Sequence, residues 1–278
     1  VATASSTTSV AELTGSRKRS RRLAAILDAV AEQGEISLHG LRELVGGSIA
    51  TVRRDLTVLA DQGLLVRTHG GAKATSSVLE LPVDLRDTRF QEAKRRIARA
   101  AVALVPRERH AVALSGGSTT AGVARELAHH SDLTVVTNSL SIASLVAPHP
   151  RLKVVMTGGI LRAQSLELVG VLAEGTFSAV NIGTAILGAD GVSAEAGITT
   201  HDETEARTNH AMVASARRTI VVADGSKIGR TALAQMCPAD LVHVLITDDS
   251  ADPAELDRLR ASGVEIIVVA AGEETPAA

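Results

Sequence analysis

The chain has 278 residues, 45% apolar and 22% charged, with a net charge of −2, a length that predicts two domains, one of them small, each able to bury a core. Tyr and Trp are absent and Phe90 and Phe177 are the only aromatic residues, which excludes a protein that holds single-stranded nucleic acid or unpaired RNA by stacking bases on rings. A single cysteine, Cys237, excludes an internal disulfide and any site built on several thiolates, and fits a reducing cytoplasm.

Residues 1–16, rich in Ala, Ser and Thr, contain no apolar stretch of signal-peptide length and read as a disordered leader; no window approaches the about 20 apolar residues of a membrane span. Residues 1–73 hold ten Lys/Arg against seven Asp/Glu, a net +3, and the remainder nineteen against twenty-four, a net −5. A basic head on an acidic body marks nucleic-acid contact, though ordinary charge scatter produces such an imbalance as readily.

From Arg17 the pattern is helical: Leu23, Ile26, Leu27 and Val30 share one face, and Gly34 closes the segment. A short extended Glu35-Ile36-Ser37 leads to a second helix from Leu38 to Val45, and Gly46-Gly47 then forces a turn. Ser48 is placed to cap a third helix. Its apolar stripe is Ile49, Val52, Leu56 and Leu59, while Ala50, Thr51, Arg54 and Thr57 point the other way with Arg53 at the flank. Two helices joined by a tight glycine turn, the second with a small, polar and basic outer face near its start, is how a recognition helix enters the major groove. Arg53 and Arg54 are consecutive, so they point about 100° apart, and at least one is expected to hold phosphate rather than a base edge. Gly63 ends the helix. Leu64 to Arg67, then Thr68 to Ala72, read as a strand, a glycine turn and a return strand: a wing, whose Arg67, His69 and Lys73 would follow the DNA backbone.

The runs Thr51-Val52-Arg53-Arg54-Asp55-Leu56 and Gly63-Leu64-Leu65-Val66-Arg67-Thr68-His69-Gly70-Gly71-Ala72 resemble the signature of the DeoR family of bacterial transcriptional repressors. The resemblance implies a winged helix-turn-helix over residues 17–73, with its helix-turn-helix at 37–56, and an Asp55 that orients an arginine instead of touching DNA. Candidate contacts to double-stranded operator DNA are Ser48, Ala50, Thr51, Arg53, Arg54, Thr57, Arg67, His69 and Lys73. Gly46-Gly47 departs from the bulkier apolar residue usual at that turn.

After a polar linker, residues 74–89, helical segments alternate with seven apolar runs: Ala111 to Leu114, Leu133 to Val136, Lys153 to Met156, Thr184 to Leu187, Thr219 to Val222, Val242 to Ile246 and Glu265 to Val269. This alternation predicts, over residues 90–270, an α/β domain with a mostly parallel sheet covered on both faces; residues 271–278 form a tail. In such sheets ligands collect beyond the carboxyl ends of the strands. There the sequence keeps Ser115-Gly116-Gly117-Ser118-Thr119-Thr120, Thr137-Asn138-Ser139, Thr157-Gly158-Gly159, Gly188-Ala189-Asp190-Gly191 and Asp224-Gly225-Ser226-Lys227. The first loop precedes a helix expected over Ala121 to His129 and offers glycine backbone, hydroxyls and a positive helix end to a phosphate. It is neither a P-loop nor a dinucleotide fingerprint. A glycine turn, an Asn138 that caps the next helix and an Asp190 that closes a turn are the plain alternatives at each position; the joint placement suits a ligand anionic at one end and rich in hydroxyls.

Residues from about Phe90 to Asp248 also resemble the effector domain of the DeoR family, which is related to ribose-5-phosphate isomerases. The matching segments are Gly117-Ser118-Thr119-Thr120, Thr137-Asn138, Gly158-Gly159, Gly197-Ile198-Thr199-Thr200 through Glu205-Ala206, and Asp224-Gly225-Ser226-Lys227. The resemblance implies a phosphorylated-sugar effector, with Glu205 and Lys227 beside the sugar; Ser115 stands where many members have Asp. Effector candidates are Ser115, Gly116, Gly117, Ser118, Thr119, Thr120, Thr137, Asn138, Gly158, Gly159, Asp190, Glu205 and Lys227. An isomerase would need a carboxylate base and a cation near the developing oxyanion, which Asp190, Glu203, Glu205 and Lys227 could supply. A basic helix-turn-helix in front argues for a sensor instead, so no catalytic residue is assigned. His129-His130 and His201-Asp202 lack the spacing of a metal site, and no metal or cofactor is expected. Half-site logic predicts a homodimer or homotetramer.

Overall fold

The computed structural model describes residues 10–75 and 80–271, the side chains of 10–17 and of Asp84 excepted. The chain divides into two units, Val1–Arg89 and Phe90–Ala278. No helix among the described residues is long and apolar enough to cross a membrane.

In the first unit, helix α1 (Val10–Gln33) leads to strand β1 (Glu35–Ser37), helices α2 (Leu38–Val45) and α3 (Ile49–Asp61), strands β2 (Val66–Arg67) and β3 (Gly71–Lys73), and a single helical turn, α4 (Val83–Arg86). The leader expected over residues 1–16 is corrected from Val10 onward: once a helix is nucleated, each added residue costs little, and Ala11, Glu12 and Leu13 are good helix formers. Residues 1–9 of that leader lie outside the described residues. The linker expectation changes too. Leu85 on α4 is buried and Leu81 packs beside it against Leu23, Ile26, Leu41, Val52, Leu56, Leu59 and Leu65, because burying an aliphatic side chain yields about 1.5–3 kcal/mol and so ties this segment to the small core. Between α2 and α3, Gly46 and Gly47 have φ of +70° and +88°, a left-handed pair that residues with a Cβ adopt poorly.

The second unit continues with α5 (Gln91–Ala103), β4 (His110–Leu114), α6 (Ser118–Leu127), β5 (Leu133–Thr137), α7 (Leu140–Val146), β6 (Leu152–Met156), β7 (Ile160–Arg162), β8 (Glu167–Val169) and α8 (Val171–Ser178). There follow β9 (Ile182–Leu187), β10 (Gly191–Ser193), β11 (Gly197–Thr200), α9 (Glu203–Ala214), β12 (Ala216–Val222), β13 (Ala234–Cys237), β14 (Val244–Asp248), α10 (Pro253–Ala261) and β15 (Glu265–Val269). Seven strands form one sheet in the order β15-β14-β12-β9-β4-β5-β6, every neighbouring pair parallel. They overlap the seven apolar runs: β4, β6, β9 and β12 start one to three residues earlier than expected, and the strand expected from Val242 starts at Val244, because the Val242 N–H closes a turn on Ala239.

Successive side chains of a strand leave opposite faces. Val112, Leu114, Ile186, Ile220, Val222, Val244 and Ile246 accordingly pack with Ile97, Val123, Leu127 and Ile142 of α5, α6 and α7. Ala113, Ala185, Leu187, Val221 and Leu245 pack with Phe177, Met212, Val213 and Leu256 of α8, α9 and α10. Both faces are therefore covered, as an all-parallel sheet requires. From β4 the chain lays β5 and β6 to one side, and β9, β12, β14 and β15 to the other, so strand order reverses between β4 and β9. That reversal opens a crevice at the carboxyl ends of the two strands. Outside the main sheet, β10, β11 and β13 form an antiparallel three-stranded sheet, and β7 and β8 a hairpin.

Candidate functional site

In the first unit, the Ser48 hydroxyl accepts the Thr51 N–H at 3.1 Å and lies 3.0 Å from the Thr51 hydroxyl, fixing the start of α3. Val52, Leu56 and Leu59 are buried and Ile49 half-buried, while Ala50, Arg53 and Arg54 are exposed. Asp55 lies on the buried side. Its carboxylate takes two bonds from Arg22 of α1, at 2.5 and 3.2 Å, and the Asp55 bond holds the Arg22 guanidinium above its ordinary pKa despite partial burial. The arginine that Asp55 orients is thus in α1, and Arg53 and Arg54 keep no ionic partner among the described residues. Thr57 is half-buried and already engaged: its hydroxyl donates to the Arg53 carbonyl and accepts from Arg67 at 3.0 Å, which links α3 to β2. His69 and Lys73 are exposed at the tip and return strand of the wing, and β1 pairs with β3 so that the wing is a three-stranded sheet.

In the second unit, the loop after β4 borders the strand-order reversal. Helix α6 begins at Ser118, three residues before the expected start, because Gly117 at φ +116° turns the chain directly into it. Ser118, Thr119 and Thr120 therefore form its first turn. No side chain caps this end, and their N–H groups meet no acceptor among the described residues, leaving the positive end of α6 free to take an anion. Ser115 crosses the reversal: its hydroxyl donates to the Gly116 carbonyl and accepts the Gly188 N–H at 3.1 Å. Thr120 donates to the carbonyls of Gly116 and Gly117, and Thr137 donates to Leu114 while accepting from Ser139. These three side chains shape the loops from within. Among the described residues Thr119 makes no such bond, and Asn138, fully buried, has neither its amide nitrogen nor its oxygen partnered; the Thr157 hydroxyl is in the same condition. Gly159 packs against the backbone of Val169, and Gly158 against Leu172.

On the far side of Gly188, Asp190 is 3.7 Å from the Lys227 ammonium. The Thr200 hydroxyl stands 3.1 Å from Asp190 and 2.7 Å from Glu205, so one proton serves two carboxylates. Arg162 reaches Glu205 and Asp202, each at 3.2 Å. Burial alone would raise the Asp202 pKa, but bonds from the Glu205 N–H, Arg162 and the Thr204 N–H hold it below the ordinary value. Asp248 is likewise held low against burial by Ser250 and by the Gly225 N–H, and through Gly225 it fixes the loop bearing Lys227. Asp202, capping α9, is occupied, and no group of three or more His, Cys, Asp or Glu among the described residues could hold a metal ion.

Sequence reasoning missed four side chains here. Lys94 of α5, buried, donates to the Ser118 hydroxyl at 2.9 Å; its signal was helical spacing, since it shares the buried face of Ile97, Ala98 and Ala101. Arg162 and Glu167 sit on the short hairpin β7–β8, where periodicity carries nothing. Asp248 ends β14 two residues beyond Ile246, the last residue of the apolar run.

Two family models match the chain: a DeoR-like helix-turn-helix domain over residues 22–78 and a DeoR C terminal sensor domain over residues 89–249. An Escherichia coli O157:H7 protein assigned as an aga operon transcriptional repressor is 35% identical, covering 90% of this chain and 94% of its own. The glycerol-3-phosphate regulon repressor of Escherichia coli strain K12 is 32% identical over 83% of this chain and 91% of its own. Among solved structures, ribose 5-phosphate isomerase A from Methanocaldococcus jannaschii is 19% identical, covering 49% of this chain and 54% of that chain, at a TM-score of 0.37.

Proposed function

The chain belongs to the DeoR family of transcriptional regulators, and from that premise we propose that it represses a carbohydrate-metabolism operon and leaves its operator when a phosphorylated sugar binds the second unit. The observation that carries the effector reading is the uncapped start of α6, Ser118 to Thr120, opening beside the strand-order reversal. Backbone N–H groups, the free Thr119 hydroxyl and the helix end suit a phosphate. The Asn138 amide, the Thr157 hydroxyl and the carboxylates of Asp190 and Glu205 suit sugar hydroxyls, with Lys227 beside them. In the first unit, Arg53 and Arg54 on the outer face of α3 are the proposed DNA contacts, with Ala50 and Thr51 at the base edges and Arg67, His69 and Lys73 on phosphates. Ser48 and Thr57 support these residues.

The regulator binds a repeated operator as a homodimer or homotetramer, since a two-fold protein matches two half-sites. The effector shifts that assembly only by binding the DNA-free form more tightly. The test is a mobility-shift series on upstream DNA with a panel of hexose and pentose phosphates; the relative named for the glycerol-3-phosphate regulon adds that ester. Retarded DNA released by one ester at micromolar to millimolar concentration is the expected result. No retardation, or isomerase turnover of the same esters, overturns the reading.

A further inference from the structure

Arg162 and Glu167 are register partners across the β7–β8 hairpin, so their side chains leave the same face of it. Arg162 reaches Asp202 and Glu205. Glu167, only 2% exposed, reaches the glycine loop: its Oε1 accepts the Gly116 N–H at 2.6 Å. The carboxyl lies so close that a Cβ on Gly116 would collide with the Glu167 Cδ. A carboxylate bonded to a backbone N–H is a strong, charge-assisted pair, and one set just ahead of a helix start gains from the helix dipole. The loop that would take a phosphate is thus already engaged, at its Gly116 N–H, by an anion of the chain itself. A phosphate monoester docking on Ser118 to Thr120 meets the Lys94 ammonium at Ser118, but also a like charge a few residues away in a poorly solvated place, where such repulsion is weakly screened and offsets part of that attraction.

We propose that Glu167 is an internal competitor for the anion cradle, and that it sets the effector concentration at which the sensor responds. The inference rests on the phosphosugar reading above. It also gives a reason for glycine at position 116, where any side chain would evict the carboxylate.

The experiment measures thermal stabilisation of the full-length chain by inorganic phosphate and by the most active sugar phosphate of the mobility-shift panel, at constant ionic strength. The wild type is compared with Glu167→Gln, which keeps an acceptor for the Gly116 N–H without the charge, and with Glu167→Ser, which leaves room for water. Both variants are expected to bind phosphate about tenfold tighter or more, and to release operator DNA at correspondingly lower sugar phosphate. Unchanged or weaker phosphate binding by folded variants overturns the proposal. Weaker sugar-phosphate binding with phosphate binding unchanged overturns it by assigning Glu167 to the sugar. Failure of both variants to fold makes the carboxylate structural and overturns it too. A wild type and variants that hold operator DNA yet respond to neither anion defeat the phosphosugar reading itself, an outcome distinct from a wild type that responds and variants that do not gain.

Discussion

Two adjacent threonines of α6 have different work. The Thr120 hydroxyl is spent on the carbonyls of Gly116 and Gly117, whereas that of Thr119 is bonded to nothing among the described residues. Thr119→Ala should therefore leave folding and operator binding intact and weaken effector response about tenfold, the worth of one charge-assisted bond; titration of DNA release checks it, and release at wild-type effector levels would move the phosphate site elsewhere. At Asp55 the logic is stability. Removing a buried carboxylate from Arg22 strands a guanidinium that is only 19% exposed, so Asp55→Ala should cost the first unit about 2–4 kcal/mol in denaturant unfolding, near the lower part of the range for broken buried pairs. A loss below about 1 kcal/mol would mean that Arg22 finds water as good a partner.

Elements were legible where burial is periodic or a glycine turn marks them, as at the short wing strands β2 and β3. The seven strands of the main sheet are runs of five to seven residues with apolar cores, and the three long helices of the first unit show a 3.6-residue stripe; both patterns survive in sequence because burial is periodic. Strands β7, β8 and β10 have three residues each, too few for a period, and are held by pairing, β7 with β8 and β10 with β11. With them went Arg162 and Glu167. Lys94 was hidden differently: the run Lys94-Arg95-Arg96 looks like a solvated face, yet counting by three and four places Lys94 with Ile97 and Ala98 on the buried side. The helix–wing junction carries a prediction of its own. Thr57 holds Arg67 by one side-chain bond at 3.0 Å, so Thr57→Val should free the arginine and lower operator affinity roughly fivefold, about 1 kcal/mol, with little change in folding. Binding equal to wild type, alongside a weakened Arg67→Ala, would show that Arg67 needs no such support.

At the scale of the molecule, each unit has its own hydrophobic core, one in Val1–Arg89 and two, one per sheet face, in Phe90–Ala278. Damage to one reading surface should then spare the other. Arg54→Ala is expected to abolish operator binding, or at least to weaken it tenfold and flatten its salt dependence by about one unit of slope, while effector-induced thermal stabilisation persists. Loss of both would make Arg54 a folding residue.

The cores are built chiefly from Val, Leu, Ile and Ala, with a single ring, Phe177 of α8, fully buried in one of them; with no Tyr or Trp anywhere in the sequence, the other ring is Phe90. Optically the protein is nearly dark. In a complex with operator, almost all near-ultraviolet absorbance belongs to the DNA, and concentration must be read from the peptide bond. The same darkness is an opening: Leu172→Trp, at an exposed position beside Gly158, would install the sole indole in the molecule, and every photon it emitted would come from one edge of the proposed effector crevice.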